Sequence, residues 1–218
     1  NVVFGYSSYI AMLFWPFDLG VFYPIDPNRP FWLFMILVIC LLVATIASDW
    51  LGRSRRYLTV GWLWFLGMLF PVSGIVQIGG QSMADRYTYV PYFGLFIILV
   101  WGSAELATKF RLPEKIIASV AFIAIVALGI RAFDQTAKWQ NSETLYRHTL
   151  SFTKNNNPLL ANLCLHHLKK SDSQTAERQC SELLVQMPET ADGNQILGNL
   201  SAQNGKMKEA RAFFEKAI

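Results

Sequence analysis

Gln81-Ser82-Met83-Ala84-Asp85-Arg86-Tyr87-Thr88-Tyr89-Val90-Pro91 sets a carboxylate beside a guanidinium, with hydroxyl side chains close by, between two long apolar runs. Charge is costly at bilayer depth and is kept there for a reason. On either side of this stretch the composition is uneven. Residues 1–133 are rich in Phe, Trp, Leu and Ile and carry few charges, whereas 134–218 have an ordinary water-soluble composition. The expected class is all-α: a polytopic helical membrane domain over 1–133, followed by a helical-repeat domain over 134–218.

Four apolar runs are expected to span the bilayer. They lie near residues 31–47, 57–76, 87–104 and 116–130, and about 17 apolar residues suffice to cross the hydrocarbon core. The second contains Gly61, Gly67, Pro71 and Gly74, which predicts a kink near Pro71. Cys40, inside the first, reads as a small core residue. Residues 1–15 are too short and interrupted for a span. Their aromatic content predicts an interfacial helix, ended by Pro16 and followed by a proline-rich turn region.

The loops after the first and third spans hold six Lys or Arg between them: Arg53, Arg55, Arg56, Lys109, Arg111 and Lys115. The loop between the second and third spans holds only Arg86. The positive-inside tendency predicts that the first two loops are cytoplasmic, and that the Asp85-Arg86 loop, the N-terminal segment and the tail face outward. A net charge of +4 is explained by such loops. With no base-stacking or helix-turn-helix signature, no nucleic-acid partner is expected. The chain opens on Asn1 without a secretory signal and stops at Ile218 inside a helical pattern, so a longer parent is expected.

The tail repeats. Aligning Asn157 with Ala191 gives a period of 34, placing Leu163 on Leu197, Cys164 on Gly198, Ala176 on Ala210 and Cys180 on Phe214. Small residues where two antiparallel helices touch, and large ones where they pack, form the tetratricopeptide pattern. The units are expected near 157–190, closed by Pro188, and 191–218, with 142–153 as the second helix of a degenerate earlier unit. Because about three units are needed for stability, further units are expected downstream.

Arg86 and its neighbours admit two readings. One is an interfacial ion pair with Asp85 that fixes topology, with Tyr87, Tyr89 and Tyr92 forming an aromatic belt. The other is an anion site, in which the Arg86 fork meets phosphate oxygens while Tyr87 and Tyr89 donate hydroxyls or stack on a sugar or isoprenoid. Gly79-Gly80 reads as a flexible joint and not a phosphate cradle. His148, His166 and His167 have no metal-site spacing, so no metal ligand is expected among them. Cys164 and Cys180 either bridge, in an oxidising compartment, or fill the Gly198 and Phe214 positions as buried thiols. No carboxylate pair shows an acid/base arrangement; Asp18 and Asp26 sit in turn contexts.

Trp15-Pro16-Phe17-Asp18-Leu19-Gly20-Val21-Phe22-Tyr23-Pro24, Phe70-Pro71-Val72-Ser73-Gly74, Ala84-Asp85-Arg86-Tyr87-Thr88-Tyr89-Val90-Pro91 and Lys138-Trp139-Gln140-Asn141-Ser142, in this order before repeat units, resemble the transmembrane-and-tetratricopeptide-repeat proteins. In animals these are protein O-mannosyltransferases, and the chain resembles their bacterial relatives. The resemblance implies a GT-C membrane fold. It implies transfer of a sugar, mannose or a similar hexose, from a polyprenyl-phosphate carrier to a protein hydroxyl on the lumenal or periplasmic side. The implied location is a bacterial inner membrane, with the tail periplasmic and taking the acceptor protein. The family's acidic catalytic motif lies in the first outer loop, upstream of Asn1, so the catalytic residues are expected outside this chain. No cofactor is expected within it, and a divalent metal is left open for the full-length enzyme. Arg86 matches the Arg of the family's loop motif and is the candidate for the lipid phosphate, with Asp85, Tyr87 and Tyr89 beside it. Two other classes remain: a non-catalytic membrane-anchored scaffold for envelope assembly, and a periplasmic glycan ligase or polymerase.

Overall fold

The computed structural model describes residues 2–26, 28–75, 80–170, 191–203 and 205–217. Their regular secondary structure is helical apart from two short extended segments, β1 (Tyr23–Pro24) and β2 (Gln81–Met83). The chain divides into two compact units. One comprises Asn1–Leu19 and Ile25–Gln135, the other Gly20–Pro24 and Thr136–Ile218.

The first unit contains α1 (Val2–Phe14), α2 (Phe31–Gly52), α3 (Arg56–Leu69), α4 (Tyr92–Lys109) and α5 (Glu114–Lys138). Helices α2, α4 and α5 are long and apolar enough to cross a membrane. Helix α3 is shorter. It passes into a single 3-10 turn, Phe70–Val72, at Pro71, where the missing N–H interrupts the α-helical ladder. Prolines also mark two helix starts, with Pro30 before α2 and Pro91 before α4.

Helices α3 and α4 meet through two glycines. A side chain at Gly94 would collide with the Gly61 carbonyl and come within 3.0 Å of the Phe65 amide, and one at Gly61 would strike the Gly94 carbonyl. Lipid gives no hydrophobic drive for helix association, so small residues that let backbones approach take its place. The Trp64 indole N–H donates to the Val90 carbonyl at 2.9 Å, tying α3 to the entrance of α4. Helix α2 joins α3 through the Thr59 hydroxyl, donating to Ser48 O at 2.7 Å, and the Trp62 indole, donating to Thr45 Oγ1 at 2.9 Å.

Helix α1 adds Tyr6 and Tyr9 to a core shared with Trp62, Phe65, Leu69 and Leu95. The two tyrosines are three residues apart and so lie on one face. Their hydroxyls find backbone carbonyls of Leu66 and Ala84. This face packs into the helical core, a role that aromatic content alone does not separate from lying at the interface. Helix α5 buries no residue. Near its C-terminal end the Arg131 guanidinium lies 4.4 Å from the Phe17 ring centre and donates to the Pro16 carbonyl at 2.9 Å, while the Gln135 amide donates to Leu19 O.

The second unit contains α6 (Ser142–Phe152), α7 (Asn157–Lys170), α8 (Ala191–Gln203) and α9 (Met207–Lys216). Asn141 caps α6, its side chain accepting from the Thr144 amide at 2.9 Å. Asn155 between α6 and α7, and Gly205 between α8 and α9, adopt φ of 53° and 75°, the left-handed conformation that suits Gly and Asn at helix ends. Gly198 faces Phe214: a Cβ there would lie 2.5 Å from the ring. Both residues are positions of the repeat alignment, and here the small one of α8 meets the large one of α9. Leu160, Ala161, Cys164, Ile196 and Leu200 form a core across α7 and α8. Cys164 is disulfide-bonded rather than a free thiol; its candidate partner Cys180, with Ala176 and Pro188, lies outside the described residues.

The segment Gly20–Pro24 belongs to this unit although its neighbours in sequence do not. The Val21 amide donates to Thr149 Oγ1 at 3.2 Å, the Asn156 side-chain amide donates to the Phe22 carbonyl at 3.2 Å, and the Tyr23 ring lies against Phe152. Gly20 passes so close to Thr149 and Phe152 that a Cβ would sit 2.7 Å from the Phe152 ring.

Candidate functional site

Asp85–Thr88 forms one 3-10 turn between α3 and α4. Its base is fixed before its side chains matter. Ala84 is buried, and the Tyr9 hydroxyl both accepts from its amide at 3.0 Å and donates to its carbonyl at 3.2 Å. The Tyr92 hydroxyl in turn donates to the Tyr9 carbonyl at 2.7 Å. Helices α1 and α4 thus clamp the residue before Asp85. Burial pushes the Tyr9 phenol up to about 12, partly offset by its hydrogen bond to Ala84. The clamp therefore stays neutral and keeps its donor at physiological pH.

Within the turn, the Tyr87 amide donates to Ala84 O at 3.0 Å and the Thr88 hydroxyl to Asp85 O at 2.7 Å. The Gln81 side chain donates to the Tyr87 hydroxyl at 3.3 Å, which holds the ring from the β2 side. The Arg86 guanidinium lies 5.2 Å from the Tyr87 ring centre. An exposed cation–π contact contributes about 0.5–1 kcal/mol, enough to orient the group and too little to neutralise it. Arg86 makes no ion pair among the described residues, and it is exposed. The product is an anchored turn that presents a charged fork to its surroundings, suited to oxyanions by charge and geometry.

The sequence candidates are thus brought together unequally. Arg86 and Tyr87 share one face of the turn. Asp85 is half-buried, close enough to Tyr9 to raise its proton affinity further. Tyr89 lies past the turn and is 75% exposed. Gly80 is described and Gly79 lies outside the described residues. The sequence reading missed the two residues that position the turn, Tyr9 and Tyr92. Their distance in sequence, 75 and 83 residues between partners, leaves no local pattern; the only hint is the shared face of Tyr6 and Tyr9.

At the other end of the α3–α4 pair, Arg55 pairs with Glu105, whose second oxygen accepts from the Tyr57 hydroxyl at 2.7 Å. This cluster ties the start of α3 to the last turns of α4.

No family model matches the chain, and no solved structure matches it. Curated relatives do. The chain is 32% identical over 121 residues to the protein O-mannosyl-transferase TMTC4 of Homo sapiens, an alignment that covers 55% of this chain and 16% of that protein. It is 27% identical over 113 residues to the protein O-mannosyl-transferase TMTC2 of Mus musculus, covering 50% of this chain and 13% of the relative. The Drosophila melanogaster Tmtc2 protein matches at 25% over 88 residues. The chain thus spans about a sixth or less of the length of the curated relatives it matches. The chain is thus distantly similar to proteins named protein O-mannosyl-transferases, and among its described residues it has three helices long and apolar enough to cross a membrane.

Proposed function

We propose that the full protein is a membrane glycosyltransferase of the GT-C type. It moves a hexose, mannose or a close analogue, from a polyprenyl-phosphate carrier to a protein hydroxyl on the periplasmic face of a bacterial inner membrane. The observation that carries this reading is the clamped Asp85–Thr88 turn with its exposed guanidinium, in a chain whose relatives are named O-mannosyl-transferases. Transfer displaces the carrier phosphate from the anomeric carbon. A base outside this chain takes the acceptor proton, and a cation at the leaving group offsets the charge that develops there. Arg86 serves that leaving phosphate, with Tyr87 keeping the fork in place and Asp85 and Tyr89 at the margins of the site. The helical tail takes the acceptor protein.

The test is transfer of labelled mannose from polyprenyl-phosphate-mannose to acceptor protein by the full-length protein in membranes. Arg86→Ala is expected to lower turnover by roughly 10²–10³-fold, the usual loss when one preorganised charge-stabilising group is removed. Arg86→Lys, which keeps the charge and loses the fork, falls between. Wild-type turnover in Arg86→Ala, at equal expression and insertion, would remove Arg86 from the mechanism.

A further inference from the structure

A second basic feature lies at the opposite end of α3 and α4 from Arg86, and the transfer reaction makes no use of it. Arg53, Ser54, Arg55, Arg56 and Tyr57, on the link from α2 into α3, face Trp101 and Glu105 of α4 around an open surface hollow of about 650 Å³. That is within the range of small-ligand sites.

The charges in it are unequally committed. Arg55 is held by Glu105, which Tyr57 also holds, so this pair forms a fixed wall. Arg53 and Arg56 are exposed and make no ion pair among the described residues. Asp49, one turn before Arg53, does not pair with it. Three guanidiniums against one carboxylate leave the hollow positive. The preferred ligand is an anion with several oxygens, which two Arg forks can share.

The apolar surroundings narrow the choice. Trp101 is 57% exposed and Trp50, at the end of α2, 69% exposed. Trp50 lies in the last turn of an apolar helix, where an exposed tryptophan favours headgroup depth, and Trp101 lies one turn before Glu105 on α4. Beside Trp101, Leu99 and Val100 also stand exposed along α4. Exposed Phe93 and Phe96 continue with Val100 at helical spacing along α4, an apolar surface for an acyl chain. An inorganic anion would use the charge and leave the apolar wall bare; a lipid uses both.

We propose that the hollow bounded by Arg53, Arg56, Glu105-fixed Arg55 and Trp101 binds the headgroup phosphate of an anionic phospholipid, whose chains lie along α4. The site does not depend on the transfer reading: it concerns this chain's surface in any membrane.

The experiment uses the full chain in nanodiscs of phosphatidylcholine containing increasing phosphatidylglycerol, with retained lipid read by native mass spectrometry after gentle detergent release. Wild type is expected to retain phosphatidylglycerol over phosphatidylcholine. Arg53→Gln and Arg56→Gln should each weaken that retention roughly fivefold, the effect of one basic group near an anionic surface, and the double variant more. Arg111→Gln removes a basic residue of the next loop that does not line the hollow, and should leave retention unchanged. Arg56→Gln alone keeps the test decisive if the double variant fails to insert. Equal retention by wild type and Arg56→Gln overturns the proposal. So does equal loss in Arg111→Gln, which would mean general surface charge. Displacement of the lipid by millimolar inorganic phosphate also overturns it, since the site would then take free anions.

Discussion

Two glycine contacts, one in each unit, solve different problems. In the first unit Gly61 and Gly94 face each other, backbone to backbone, between α3 and α4. In the second, Gly198 faces the ring of Phe214 between α8 and α9. Where lipid surrounds the helices, exchanging a lipid contact for a side-chain contact gains little, and close backbone approach supplies the packing. Where water surrounds them, a large ring laid on a bare backbone removes apolar surface from solvent, at roughly 25 cal/mol per Å². The same residue therefore marks opposite chemistries, and the residue opposite it tells which applies.

The comparison breaks most visibly at Gly94. Gly94→Leu puts a side chain against a carbonyl that cannot move without moving α3. It is expected to cost at least ~3 kcal/mol, the upper part of the overpacking range, read as loss of resistance to denaturation in detergent by tryptophan fluorescence. Full stability in that variant would mean that α3 and α4 do not depend on this approach.

Tyr9→Phe probes the same unit one layer out. It leaves the buried Ala84 amide without its acceptor, while the Ala84 carbonyl keeps the Tyr87 amide, at about 1–3 kcal/mol. Amide exchange at Ala84 and along the Asp85–Thr88 turn should quicken, while exchange in α8 and α9 stays unchanged.

The smallest effect is expected at Gly198, and its sign depends on the ring. Ala is favoured over Gly in a helix by about 1 kcal/mol, but its methyl meets the ring of Phe214, which is 36% exposed. Gly198→Ala should be within about 1 kcal/mol of neutral. In a Phe214→Ala background the same change should stabilise by close to the full propensity gain. Chemical denaturation of the four variants closes the cycle, and identical effects in both backgrounds would deny the contact.

Some of this is legible in residues alone. Apolar runs give α2, α4 and α5, since length and composition decide whether a helix can cross a bilayer. Pro71 marks where α3 gives way to a 3-10 turn. Gly198 and Phe214 stand out as a small and a large position of the repeat alignment, and both lie on one hairpin, where sequence spacing translates directly into spatial register. What stays hidden depends on distant partners. Nothing in Tyr9 announces Ala84, and nothing in Arg55 announces Glu105, because each pair is made by helix packing between segments with no shared period. Arg86 is conspicuous as a charge between apolar runs, but its anchoring by Tyr9 and Tyr92 shows only once α1 and α4 are placed. The apolar run over 57–76 does not become one helix: α3 ends at Leu69, where Pro71, already conspicuous in the sequence, interrupts the ladder.

The strip Gly20–Pro24, sewn into the α6–α7 hairpin from far upstream, bears on how such a protein can be rearranged by recombination. A gene piece beginning at Thr136 would encode the hairpin without the peptide that meets Thr149, Phe152 and Asn156. Exchanging the tail as a cassette would therefore leave a hydroxyl and an amide facing an empty slot. Inheritance of this tail is tied to inheritance of the short turn between α1 and α2, which makes that turn a better marker of a matched pair of units than any residue at the junction itself.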